Sequence, residues 1–109
     1  MKTCIFGGTF DPPHIGHLLI AQTIIESENF DRLIFLPAFL SPVKQGRKIS
    51  PPEKRLKMLN MALLNNDNFE ISDFDIKKEN ISYTIDSIKY FSKELNIEKK
   101  DLYFLMGSD

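Results

Sequence analysis

The stretch Lys2-Thr3-Cys4-Ile5-Phe6-Gly7-Gly8-Thr9-Phe10-Asp11-Pro12-Pro13-His14-Ile15-Gly16-His17 changes period part-way along, and that change sets the class of fold. Lys2 to Phe6 reads as a short strand, ended by Gly7-Gly8 and followed by a polar turn carrying two prolines. From His14 or Ile15 to about Glu28 the apolar residues fall at helical spacing instead. Leu18, Ala21 and Ile25, with Leu19, Ile20 and Ile24 beside them, make a broad face and predict a largely buried helix. Asp31 to Pro37 is then a continuous apolar run of strand length, the pattern of a parallel strand covered on both faces. Strand, helix and strand complete a β-α-β unit.

The same alternation continues outward. Residues 38–49 read as a loop. Ser50-Pro51-Pro52-Glu53 is a helix start, with Ser50 as N-cap, Pro51 at the first helical position and Glu53 completing a capping box. Leu56, Leu59 and Leu63 mark the inner face of that helix, while Arg55 reads as an exposed cation of structural use, with a phosphate role open. Phe69 to Ser72 is a weaker third strand, followed by an acidic and polar stretch. Ile85, Ile88, Phe91/Ser92 and Leu95 mark a helix beginning near Thr84, and Leu102 to Met106 is a fourth strand. The order predicts an α/β fold: a Rossmann-like parallel sheet with helices on both faces and right-handed crossovers, in one domain over 1–109.

Composition narrows the class of function. Leu, Ile, Val and Phe number 35 of 109 residues, enough for a core and too many for a disordered chain. No run approaches the roughly 18 apolar residues of a membrane span, and the start lacks the apolar stretch of a signal peptide. A cytoplasmic protein without a membrane partner is expected. The single cysteine, Cys4, excludes an internal disulfide framework and reads as a small buried residue of the first strand. A net charge of −1 argues against a general nucleic-acid binder. The charge is unevenly spread, however. Lys44, Arg47, Lys48, Lys54, Arg55 and Lys57 face one anion, Glu53, a local balance of +5 that leaves −6 elsewhere. Such a segment suits a small polyanion, although an ordinary solvated face reads the same way.

Open α/β sheets take ligands at the carboxyl ends of their strands. There the first turn offers glycines that let backbone N–H groups approach an anion, and a helix start with partial positive charge. His14 and His17, three residues apart, would share a face and reach one phosphate, with Gly16 keeping the space between them open. The turn is neither G-x-G-x-x-G nor a P-loop. A zinc site lacks both the H-E-x-x-H spacing and a third ligand. A purely structural role for both histidines remains the bland alternative.

Taken together, GGTFDPPHIGH resembles the signature of the nucleotidyltransferase superfamily, whose (H/T)-x-G-H motif binds the triphosphate of ATP or CTP. Histidine at position 14 after Gly-Gly-Thr-Phe-Asp-Pro is more similar to the nicotinate-nucleotide adenylyltransferases than to the phosphopantetheine adenylyltransferases. Pro37 with Ser41-Pro42-Val43-Lys44 is similar to that family's P-x(n)-P-H-K loop, with Val43 in place of histidine. Arg55-Leu56-Lys57-Met58-Leu59 resembles its R-x-x-M-L helix, Ser82-Tyr83-Thr84-Ile85-Asp86 its S-Y-T-x-D helix start, and Leu105-Met106-Gly107-Ser108-Asp109 its L-x-G-x-D strand end. The family continues into an I-S-S-T-x-I-R segment that this sequence does not contain, so the fold is expected to be C-terminally incomplete.

The resemblance implies transfer of the adenylyl group of ATP to nicotinate mononucleotide, giving deamido-NAD and pyrophosphate, with Mg²⁺ accompanying ATP. It implies His14, His17 and Lys44 as catalytic residues. Gly8, Thr9, Phe10, Gly16 and His17 would meet phosphate, and Gly107 and Asp109 the adenosine ribose. Tyr83, Thr84 and Lys44 would hold the mononucleotide. Two alternatives stay open: another small-molecule adenylyltransferase such as the phosphopantetheine enzyme, and a non-catalytic nucleotide-binding fragment. Acid or amide preference and homo-oligomerisation are likewise open.

Overall fold

A computed structural model describes residues 2–11, 13, 15–38, 50–64, 66–78 and 84–106. Four strands, β1 (Thr3–Gly8), β2 (Arg32–Pro37), β3 (Phe69–Ile71) and β4 (Leu102–Met106), pair parallel in the order β3-β2-β1-β4. Between them lie α1 (Ile15–Ser27), α2 (Pro52–Ala62), a short α3 (Phe74–Lys78) and α4 (Thr84–Glu94), with a 3-10 turn at Lys99–Asp101 leading into β4. Among the described residues no helix is long and apolar enough to cross a membrane.

The period of two along the central strands separates the faces. Cys4, Phe6, Leu33 and Phe35 point to one side and join Phe10, Ala21, Leu59 and Leu63, the contributions of the turn, of α1, of α2 and of the residue that ends it. Ile5, Ile34 and Leu36 point to the other, where Phe91 of α4 is buried and Phe74, Tyr90 and Leu95 pack around it. The expected helices on both faces are therefore present.

Several boundaries and faces differ from the sequence reading. Gly7 and Gly8 do not end β1: they stay in register with Leu36 and Pro37, and Gly7 also with Met106. Without side chains they add nothing to the strand pattern, but their backbones complete the ladder. On α1 only His17 and Ala21 are buried. Leu18, Ile24 and Ile25 pack partly against the core, while Leu19 is 60% and Ile20 48% exposed. One helix on a sheet contacts it along a stripe, so the broad apolar face is only half used. Helix α2 begins one residue later than expected. Pro51 is its N-cap, Pro52 its first helical residue, and Ser50 makes no side-chain cap. The acidic stretch after β3 contains α3, too short to show a period. Its Asp75 carboxyl accepts a hydrogen bond from the Ser87 hydroxyl at 3.3 Å, joining α3 to α4. Cys4 is buried as expected, and burial pushes its thiol pKa up to about 11.

Candidate active site

The strand order places the site. From β1 the chain steps to β2 and β3 on one side and reaches β4 on the other, so the direction of winding reverses between β1 and β4. The crevice at the carboxyl ends of two such strands is where open α/β sheets take ligands. Gly7 pairs with Met106 there, and the turn after β1 leads from Gly8 into α1.

Within that turn Phe10 has φ 54, a left-handed conformation that is strained for an aromatic residue. The turn reverses the ring into the core, where it meets Phe6 at 5.4 Å, Phe35 at 5.5 Å and His17 at 5.0 Å. Gly8 makes this possible: a Cβ there would lie 3.2 Å from Phe10 Cζ. The glycine is needed for the ring behind it, in addition to any anion in front. His17 sits in the first turn of α1, 4% exposed, edge-on to both Phe10 and Phe6. That first turn carries no acidic side chain, so the positive end of the helix dipole is not neutralised by its own residues.

The turn is tied to its neighbours by Arg55. This residue is fully buried, contrary to its reading as an exposed cation. Its Nη1 donates to the Thr9 carbonyl at 2.9 Å and the Ala38 carbonyl at 2.6 Å, and its Nε donates to the Ser50 carbonyl at 3.0 Å. Burial pulls the guanidinium pKa down from its ordinary value, and the charges of Asp11 and Glu53 act the other way. Asp11 in turn accepts the Ser50 N–H at 2.7 Å. The +5 segment therefore does not present all its cations to solvent: Lys54 and Lys57 are exposed on α2, and Arg55 is inside.

Of the residues expected at the phosphates, Gly8, Thr9, Phe10, Gly16 and His17 are brought together around this turn. Thr9, Phe10 and His17 are buried, while Gly8 and Gly16 are half-buried. Thr84 begins α4 as expected. His14, Lys44, Tyr83, Gly107 and Asp109 lie outside the described residues, as does the side chain of Thr84. Sequence reasoning missed the reach of Arg55 and the carboxylate of Asp11. One signal pointed to the former: Arg55 stands four residues before Leu59, on the buried row of α2.

Residues 5–109 match the model of the cytidylyltransferase-like family. The chain belongs to that family. Among this cytidylyltransferase-like protein's curated relatives, one from Caldicellulosiruptor saccharolyticus, named a probable nicotinate-nucleotide adenylyltransferase, is 45% identical over all 109 residues. Another of that name, from Aquifex aeolicus, is 40% identical over 105 residues. The chain spans 53% of the first and 61% of the second. Among solved structures, the Plasmodium falciparum nicotinic acid mononucleotide adenylyltransferase complexed with NaAD superposes with a TM-score of 0.71. That likeness covers 98% of this chain and 51% of the other at 18% identity, and shows the shared fold of the cytidylyltransferase-like domain.

Proposed function

We propose that the protein is an adenylyltransferase that joins ATP to nicotinate mononucleotide, forming deamido-NAD and releasing pyrophosphate, as a step of cytoplasmic NAD biosynthesis. The observation that carries this reading is the turn after β1: a glycine-bearing helix start with buried His17, at the point where the winding of the sheet reverses. The names of the 40–45% identical relatives support the choice of substrates.

In this reading the 5′-phosphate of the mononucleotide attacks the α-phosphorus of ATP in line, and the protein supplies position and charge with no nucleophile of its own. The half-buried Gly8 and Gly16 leave room for the phosphates at the positive end of α1, with His17 donating to them. His14 and Lys44 would approach from the flanking segments. Tyr83 and Thr84 would receive the nicotinate at the start of α4, and Gly107 and Asp109 the ribose. Mg²⁺ would come with ATP. The phosphate oxygens and water would supply most of its ligands.

The test is pyrophosphate release with ATP and nicotinate mononucleotide together and with each alone. Release that needs both is the expected result. ATP binding without release would establish a nucleotide-binding module in place of an enzyme, and release with phosphopantetheine instead would move the protein to the other branch of the superfamily.

A further inference from the structure

Building on the reading of the turn after β1 as a phosphate site, we propose that Arg55 is a positioning residue of that site: its guanidinium holds the carbonyls of Thr9, Ala38 and Ser50 together and so fixes the turn between Gly8 and His17 in the shape that receives a nucleoside triphosphate.

The ladder between β1 and β2 ends with Gly8 beside Pro37, followed by the Ala38 N–H donating to the Gly8 carbonyl at 2.9 Å. Thr9 and Ala38 are the first residues past that point. Their carbonyls would otherwise need water or another donor. Both are met by Arg55 Nη1, at 2.9 and 2.6 Å, so the side chain serves as one further rung between two strands that have already parted. The Ser50 carbonyl, ahead of α2, receives Nε at 3.0 Å. Only a guanidinium presents several donors in one rigid plane with the span to reach three chain segments.

Packing alone does not account for this choice. A buried cation loses its hydration, and an apolar side chain of similar volume fills a core without that penalty. What an apolar side chain cannot do is set the direction of the Thr9 peptide. That peptide unit leads into Phe10, whose φ of 54 turns its ring onto His17 at 5.0 Å. Asp11, one residue further, is fastened to the Ser50 N–H at 2.7 Å. Thr9 to Asp11 is thereby tied to the start of α2 through one carbonyl and one carboxylate, with Arg55 at the junction. Arg55 acts on His17 and on the first turn of α1 through these residues, without touching a ligand itself.

Two variants test this. Arg55→Lys keeps the charge and loses the planar fork, and Arg55→Gln keeps a planar donor and loses the charge. Binding of ATP and of pyrophosphate is measured by calorimetry at a temperature where each variant is folded, with adenosine as the control. Both phosphate ligands are expected to bind about tenfold more weakly, the scale of one lost charge-assisted hydrogen bond, with adenosine unchanged. Folded variants that bind ATP as tightly as the parent overturn the proposal. The ¹⁵N guanidinium resonances of Arg55 in the unsubstituted protein give a measurement independent of how the variants fold. They are expected to shift on addition of ATP and not of adenosine, and resonances indifferent to ATP overturn the proposal equally. Failure of the unsubstituted protein to bind ATP at all would remove the phosphate site itself, an outcome distinct from unaffected variants.

Discussion

The two faces of the sheet are built from alternate residues of the same strands, yet they differ in kind. Under α4, Ile5, Ile34, Leu36 and Phe91 make an apolar layer, and the buried polar pair nearby, Asp75 and Ser87, joins one helix to another. Under α1 and α2 the layer of Cys4, Phe6, Leu33 and Phe35 is continued at the carboxyl end of the strands by His17, by the strained Phe10 and by the buried cation of Arg55. One face spends its burial on stability. The other holds a guanidinium, an imidazole and a left-handed aromatic residue in fixed positions at the ends of the strands.

Substitutions on the two faces should separate accordingly. Phe91→Ala is expected to cost about 3–5 kcal/mol of stability, because a ring 2% exposed leaves a cavity, with the activity of the folded fraction retained. Thermal unfolding beside a pyrophosphate-release assay reads both, and a loss of specific activity larger than the loss of folded protein would erase the contrast. His17→Ala should do the reverse, lowering kcat about a hundredfold, the scale of losing one transition-state donor, with a smaller fall in melting temperature than Phe91→Ala. Undiminished turnover would remove His17 from the reaction. Gly8→Ala tests the link between the two roles. A methyl 3.2 Å from Phe10 Cζ requires the ring to give by a few tenths of an ångström, and with it the edge-on contact to His17. Activity should therefore fall further than stability explains.

Cys4 gives a pH signature of burial on the face under α1 and α2. Its folded pKa of about 11 lies above the 9.0 of an unburied thiol, so its contribution to stability is complete below pH 9 and is lost as pH rises toward about 11. Denaturant midpoints of the parent and of Cys4→Ala, compared across that range, should converge on the variant's side; parallel curves would show that the thiol does not titrate with unfolding. The smallest effect belongs to the rim. Arg32 donates to Glu70 through Nε at 2.8 Å and Nη2 at 2.6 Å, but Glu70 is half exposed, and Glu70→Gln should change stability by less than about 1 kcal/mol and less still in high salt.

The sheet was legible because its signals are local: β2 and β4 are apolar runs of strand length, and Thr84 does open a helix. What escaped the sequence was set by distant partners. Arg55 reads as solvated until Thr9 and Ala38, far away in sequence, are known to lack donors at that spot. The capping box expected of Ser50 and Glu53 is not formed: the Ser50 N–H that Glu53 would meet is taken by Asp11, and Pro51 occupies the N-cap position with no side-chain cap. Gly7 and Gly8 look like a break until their neighbours in β2 and β4 are seen to continue the ladder. The glycine turn itself was recognised, but the ring that Gly8 admits behind it was not, since a left-handed phenylalanine leaves no trace in composition or period.

Ala38 and Ser50 bracket residues 39–49, and both give their carbonyls to Arg55. The intervening segment thus starts and finishes at one side chain, whatever path it takes between. Its ends are joined by Arg55 independently of the number of residues between them. Residues between those two points can accordingly be gained, lost or exchanged while β2 and α2, which flank them, stay where they are.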